Sequence, residues 1–310
     1  MGETGASVHS PTFAPSAARA STGQKILRRV GKGLADWLPA LPLFIVAGLL
    51  LVAPTVALVI RSFRGDTHGW TLQYWDQVLH RPADLRAIRT SLKLGAICGT
   101  IALVIGAPSA WLISKMVTAR RSTWLALLNV AANFGGVGLA FGFIAVLGTY
   151  GMFTLLLQNI GLPFSAPRSD SLLGFVLAYS YTNVPLFVLL TLPAMGILRT
   201  DWMEATEVSA ASRLQFWRYV GVPILTPFFL AGWILIFTWS TGIYGLAFAM
   251  AGDSGSSRIR LITLQIGFAL NSAAGSPYRA AVHGVLLLLF AAVSLTGYRL
   301  ILRWALRWFS

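Results

Sequence analysis

Polar side chains are scarce in this sequence, and those that fall inside apolar runs define what chemistry it could do. Asn129 and Asn133 stand four apart and so share one helix face. Tyr179, Tyr181, Thr182 and Asn183 cluster just before Pro185, whose missing N–H loosens the backbone there. Thr238, Trp239, Ser240, Thr241 and Tyr244 form a third group. Such groups are costly in lipid, so they face either a polar path or a neighbouring helix. Both readings stand on the residues alone, a solute path or hydrogen bonds that glue helices together. Aromatic and amide linings suit a cation over a ring face and an anion held by amides equally, so charge does not choose a solute. Asn133, Asn183 and Thr241, from three different runs, are expected to approach one path.

The missing groups narrow the chemistry further. None of the ten carboxylates is placed inside an apolar run, whereas a proton- or sodium-driven carrier needs an ionisable group at membrane depth. His283 is three residues into the last run and reads as an interfacial histidine. The glycines from Gly136 to Gly142 are not followed by Lys-Ser or Lys-Thr, so they do not form a Walker A loop. Cys98 is the single cysteine, which excludes an intrachain disulfide and a Cys-rich metal site. If transport is active, its energy comes from another subunit. A stand-alone secondary carrier and a membrane-embedded enzyme are the alternative readings. The enzyme would need catalytic polar residues gathered at one interface, and His68 and His80 read instead as exposed loop residues.

The elements that would position these residues are membrane spans. Hydrophobic residues make up 56% of the 310, charged residues only 11%, and the mean hydropathy is +0.70. Those values lie outside the range of soluble domains. Six apolar stretches are long enough to cross a bilayer: 38–60, 90–114, 124–149, 172–198, 227–250 and 280–302. Gly135, Gly136, Gly138 and Gly142 loosen the third, and the run from Met152 to Leu162 reads as an interfacial helix. The net charge of +14 is scattered in short clusters between spans, which argues against nucleic acid as a partner. Residues 1–35 read as a disordered basic tail, 36–303 as one transmembrane domain and 304–310 as a second short tail. The first apolar run begins too far from Met1 for a cleaved signal, so it is expected to stay in the mature chain.

Basic residues also orient the chain. Lys25, Arg28, Arg29, Lys32, Lys115, Arg120 and Arg121 are nearly unmixed with acids, whereas the opposite loops carry Asp66, Asp76, Asp84, Asp170 and Asp253. Both termini and the loop 199–225 are therefore expected on the cytoplasmic side. In that loop Asp201 is placed as an N-cap with Glu204 three residues on, opening a short helix that runs to about Ser212.

This loop resembles the signature of the permease subunits of bacterial ABC importers that depend on an extracytoplasmic binding protein. Their pattern is Glu-Ala-Ala, Gly six residues after the Glu, an aliphatic residue at sixteen and Pro at nineteen. Here stand Glu204-Ala205-Thr206, Ala210, Val220 and Pro223, with the third Ala replaced by Thr and the Gly by Ala. Thr90-Ser91-Leu92 resembles the family's Asn-Ser-Leu, and Ile243-Tyr244-Gly245 followed by Gly252 resembles its polyamine, phosphonate and ferric-ion branches. The likeness spans about 38–302.

The resemblance implies an all-α membrane fold of six transmembrane helices, the type I (MetI-like) importer permease fold, in a bacterial inner membrane. It implies no catalytic residue, no metal and no cofactor in this chain, with ATP and magnesium bound by a partner ATPase dimer. A second permease, homologous or identical, an outside binding protein and the lipid bilayer complete the partners, and a polyamine, phosphonate or other small polar solute is the cargo. The ATPase-coupling residues are then Glu204, Ala205, Thr206, Ala210, Ala211, Arg213, Phe216 and Pro223, with Glu204 making the charged contact. Asn129, Asn133, Tyr181, Asn183, Trp239, Thr241 and Tyr244 line the path.

Overall fold

The computed structural model describes residues 38–65, 69–161, 168–251, 259–273 and 275–306. The tail 1–35, His68 and Gly252 lie outside them. Six stretches are long and apolar enough to cross a membrane: Leu41–Ser62, Pro82–Ser114, Gly136–Asn159, Leu172–Met195, Arg213–Gly242 and Pro277–Trp304. The only pairing between extended segments among the described residues is an isolated bridge, Arg64 with Trp70.

We number the helices α1 (Leu41–Ser62), α2 (Gln73–His80), α3 (Pro82–Ser114), α4 (Thr118–Asn133), α5 (Gly136–Leu147) and α6 (Met152–Asn159). There follow α7 (Leu172–Met195), α8 (Thr200–Val208), α9 (Arg213–Gly242), α10 (Gly245–Ala251), α11 (Ile262–Asn271) and α12 (Pro277–Leu306). The described residues up to Ala57 form one unit and those from Leu58 onward a second. In the first unit, residues 41–57 are apolar except for Thr55, whose hydroxyl donates to the Leu51 carbonyl, and none is buried, as expected of a helix surrounded by lipid or a partner.

The second unit is built around α3 and α7. Small residues on α3 admit neighbouring helices: a Cβ on Gly95 would stand 2.8 Å from Thr241 Cγ2, one on Gly99 3.0 Å from Trp233 Nε1, and one on Gly106 2.7 Å from Phe187 Cδ1. One cluster joins Leu94 and Cys98 of α3, Leu139 of α5, Phe175 and Tyr179 of α7 and Leu246 of α10. A second, nearer the Glu204 loop, joins Ile113 of α3, Val188 and Leu192 of α7 and Leu225 of α9, with Leu125 and Leu128 of α4 against it.

Those clusters locate the third crossing. The single helix 124–149 expected from the apolar run is instead two, α4 in one half of the bundle and α5 in the other, and the stretch long and apolar enough to cross is Gly136–Asn159. Phe134 (φ −81°, ψ 86°), an extended Gly135 and Gly136 at φ 68° separate the two helices. Three glycines within four positions, Gly135, Gly136 and Gly138, make that break inexpensive. The fifth crossing also differs from expectation: it begins in the Glu204 loop at Arg213, well before Pro227, and stops at Gly242, with Ile243 extended before α10.

Three other expectations are corrected. The second crossing begins at Pro82 instead of Thr90, because Pro82 at the first helical position starts the helix early. It thereby brings Asp84 inside the helix, 2% exposed and 3.3 Å from Nε2 of His283, which is also 2% exposed. His283 Nδ1 faces the Arg279 carbonyl at 2.8 Å. His283 is thus buried and paired, not interfacial and solvated. The stretch 252–277, read as a loop, contains α11, whose Ile262 and Gly267 are buried and whose Ile262 N–H donates to Ser91 Oγ at 2.9 Å.

Candidate functional site

Two sites emerge, one at each feature singled out by the sequence. The first is the loop from Arg199 to Pro223. Asp201 lies inside α8 and pairs with Arg199 (2.7 Å), so it is not the expected N-cap. Helix α8 ends at Val208, earlier than Ser212, and the capping box stands at the next helix start: Ser212 Oγ accepts from the Gln215 N–H, and the Ser212 N–H donates to Gln215 Oε1 at 2.7 Å. Between the helices Ala210 takes φ 54°, the only positive φ at a non-glycine among the described residues. The Ala211 N–H donates to the Thr206 carbonyl at 3.1 Å, which is the six-to-one bond of a Schellman turn with Ala210 in its left-handed position. Glycine fits that position without strain, and alanine costs about 1 kcal/mol more. The residue at the signature's Gly position therefore adopts the conformation that glycine favours.

The loop has two faces. Trp202, Met203 and Thr206 turn inward, Thr206 Oγ1 donating to the Trp202 carbonyl. Phe216 is 4% exposed and stacks edge-on against Trp217, which meets Trp111 of α3. Phe216 is an anchor to the bundle and not part of the exposed surface. Arg213 and Ala211 rim a crevice of about 30 Å³ between these rings. Pro223 lacks an N–H for the helical ladder, and the helix shifts to a π turn at Trp217–Gly221 just before it. Outward stand Glu204, Ala205, Ala210 and Arg213. With them are Val208 and Leu214, 88% and 78% exposed. Sequence reasoning passed over these two; the i, i+4 spacing of Glu204 and Val208 on a short helix was the available signal.

The second site surrounds the two helix breaks. A Cβ on Gly135 would lie 3.7 Å from Thr182, and one on Gly245 3.7 Å from Val137, so both breaks adjoin each other and the polar cluster of α7. The Ile243 carbonyl, freed by the second break, accepts from Tyr179 OH at 3.2 Å and Thr263 Oγ1 at 3.4 Å. No side chain caps the start of α5. Its first N–H groups have no intrahelical acceptor.

The expected path residues divide by exposure. Asn183 is fully buried and its Nδ2 donates to Ser240 Oγ at 2.8 Å, tying α7 to α9. Thr241 is also buried, donating to the Thr238 carbonyl. Asn129 and Asn133 are exposed, each amide donating to a carbonyl four residues back. Tyr181, Trp239 and Tyr244 are 48%, 56% and 38% exposed, Tyr244 stacked on Phe248. At the loop end of this half, Thr149, Tyr150, Arg168 and Asp170 line an open recess of about 660 Å³. Asp170 holds the Arg168 guanidinium through a 2.9 Å hydrogen bond and, secondarily, through its charge, which together raise the arginine's pKa above its ordinary value.

The chain matches no family model. It is 30% identical over 230 residues to the sulfate transport system permease protein CysT of Salmonella typhimurium, covering 73% of this chain and 78% of that one. It is 26% identical over 215 residues to the molybdenum transport system permease protein ModB of Mycobacterium bovis, covering 67% and 75%. Its fold matches a chain of a bacterial ABC transporter that imports the acidic polysaccharide alginate, with a TM-score of 0.67, 14% identity, and 91% and 99% of the two chains covered. The six apolar crossings, the Glu204 loop and these relationships make the chain a member of the permease family of binding-protein-dependent ABC importers, a multi-pass protein of the bacterial inner membrane.

Proposed function

We propose that this permease conducts a tetrahedral oxyanion of the sulfate or molybdate kind past the paired helix breaks, and that α8 docks the ATPase that drives it. The observation that carries the reading is the exposure of irregular backbone at membrane depth. Asn133, Phe134, Gly135 and Gly138 are exposed on this chain, although a lipid-facing break would leave backbone groups unsatisfied at several kcal/mol each. Such backbone belongs on a polar path completed by a second permease. Asn129, Asn133, Tyr181, Trp239 and Tyr244 would then face the path, with Asn183 and Thr241 behind them holding the helices in place.

The solute class follows from what surrounds the breaks. Uncapped N–H groups at the start of α5 and nearby amides and hydroxyls offer donors to an anion, as a helix start does. None of the described carboxylates lies beside the breaks to balance a polyamine; Asp84, the one within a crossing, faces His283. Relatives carry sulfate and molybdenum transport names and also putrescine and spermidine ones, and the donor set favours the first group.

At the other site, Glu204 amid Ala205, Val208, Ala210 and Leu214 makes a small exposed patch with one charge at its centre, suited to a groove on an ATPase subunit. A short helix held between two crossings passes rigid-body motion between subunits better than a flexible loop. ATP and magnesium would be bound by that subunit, the termini and α8 would be cytoplasmic, and the recess at Tyr150 would face the binding protein.

Uptake into vesicles reconstituted with the cognate ATPase and binding protein tests the solute. Labelled sulfate or molybdate should accumulate with ATP inside the ATPase compartment and putrescine should not; accumulation of putrescine alone would overturn the oxyanion reading. Replacing Asn133 with Leu should depress uptake by tenfold or more while assembly persists, and unchanged uptake would remove the break from the path.

A further inference from the structure

We propose that the face of α3 carrying Arg86, Arg89 and Lys93 binds anionic phospholipid headgroups on the membrane side away from the Glu204 loop. At about 100° per residue the three side chains fall within an arc of about 60°. All three are exposed. The same arc continues along the helix through Ile97, Thr100 and Val104, also exposed, while Leu94, Cys98 and Ala102 are buried on the other side. The cations thus stand at the head of a stripe that, one turn further on, is apolar and open to lipid.

Depth places them at the headgroups. A hydrocarbon core of about 30 Å takes roughly 20 helical residues. Counted back from Lys115, just past the end of α3, the core ends near Gly95. Lys93 then stands at the boundary and Arg89 about one turn beyond it, within a headgroup layer of about 5–7 Å. Both side chains are long enough to reach along the layer to a phosphate. Arg86 stands one further turn out.

No protein carboxylate serves these charges among the described residues. Asp84, close by in sequence, projects from the opposite side of α3 toward His283. Asp76 pairs with His80 on α2. Arg86 Nε donates to the Pro82 carbonyl at 3.2 Å, which leaves its two terminal nitrogens for an outside acceptor. A phosphodiester anchored by acyl chains that lie along Ile97 and Val104 matches both halves of the stripe at once, whereas a free anion would use only the upper half. Each cation near a membrane surface favours an anionic over a neutral lipid by about fivefold, the equivalent of about 1 kcal/mol.

The full chain in vesicles tests this. A bimane fluorophore on Ile97→Cys, in a Cys98→Ala background, reports lipid at that point, and doxyl-labelled phosphatidylglycerol or phosphatidylcholine is titrated into phosphatidylcholine vesicles. Half-maximal quenching is expected at about twenty-five-fold lower mole fraction for phosphatidylglycerol, about fivefold from each of Arg89 and Lys93 at the headgroup layer. The preference should fall below twofold in the Arg86→Gln, Arg89→Gln, Lys93→Gln variant, while quenching by phosphatidylcholine stays unchanged and shows that the fold is intact. Equal curves for the two lipids would overturn the proposal. So would a label that neither lipid quenches, which would mean that protein covers this face, and so would loss of the preference on adding millimolar phosphate or sulfate at constant ionic strength, which would mark a site for free oxyanions.

Discussion

The two halves of this bundle solve the same problem in opposite ways. Toward the Glu204 loop, backbone ends are closed locally: Ser212 and Gln215 cap each other, Ala211 closes a Schellman turn, and Phe216, Trp217 and Trp111 seal the loop onto α3 and α9. In the other half, the break at Ile243 is closed from a distance, by Tyr179 and Thr263 reaching across helices, the break at Phe134–Gly136 has no side-chain cap, and Asp84 meets His283 from a different crossing. Local closure makes a rigid handle. Closure between helices makes a wall whose integrity depends on how the helices stand against one another.

The comparison breaks most sharply at the buried pair. His283→Ala leaves Asp84 without its partner in an apolar setting and should destabilise the fold by about 3–5 kcal/mol in detergent unfolding, whereas a paired Asp84→Leu, His283→Leu replacement should recover most of that loss. If His283→Ala unfolds like the parent, the pair does not hold the far half together. Next comes the helix contact beneath it. A side chain on Gly95 would strike Phe237 backbone oxygen, 2.9 Å from the added Cβ, so Gly95→Val should cost about 1–3 kcal/mol and part α3 from α9. An unchanged transition would mean that this contact is loose.

A smaller effect sharpens the contrast from the Glu204-loop side. Ala210→Gly should stabilise the loop by about 0.5–1 kcal/mol by relieving the left-handed alanine, and Ala210→Val should do the reverse, since a β-branched residue tolerates φ 54° still less. Amide exchange over α8 and the start of α9 measures both; equal protection in the two variants would remove strain from the account. Sidedness has its own check. Cysteines at Ser212 and Tyr150 in a Cys98→Ala background should label from opposite faces of sealed vesicles, and labelling from one face would undo the six-crossing arrangement.

Much of this was readable in the sequence. Apolar run length fixes the number of crossings because the bilayer sets it. The spacing from Glu204 to Pro223 carried the family because a turn between two short helices needs its residues in fixed order. What stayed hidden depends on partners distant in the chain. Asp84 looks like a loop residue and His283 like an interfacial one until α3 and α12 are set side by side, and the hydrogen bond from Asn183 to Ser240 joins residues far apart in the chain. The break at Phe134 was half legible, since the glycines weakened the helix there, but only packing against α7 and α10 shows that the chain uses them to stop and restart. Helix α11 was missed because a short apolar segment after a charged one carries little periodic signal.

The proposed role of α8 is to be the handle by which an ATPase moves the far half. Glu204→Ala removes the exposed carboxylate proposed to contact the ATPase, and Ala210→Trp would block close approach to it, so neither should disturb folding of the bundle. Co-purification of the ATPase subunit, together with solute-stimulated ATP hydrolysis in reconstituted vesicles, measures the consequence. The prediction is a loss of subunit affinity of roughly ten- to a hundredfold for each variant, with stimulated hydrolysis falling in step. Assembly and stimulated hydrolysis unchanged in both would contradict the claim that this loop couples the two subunits.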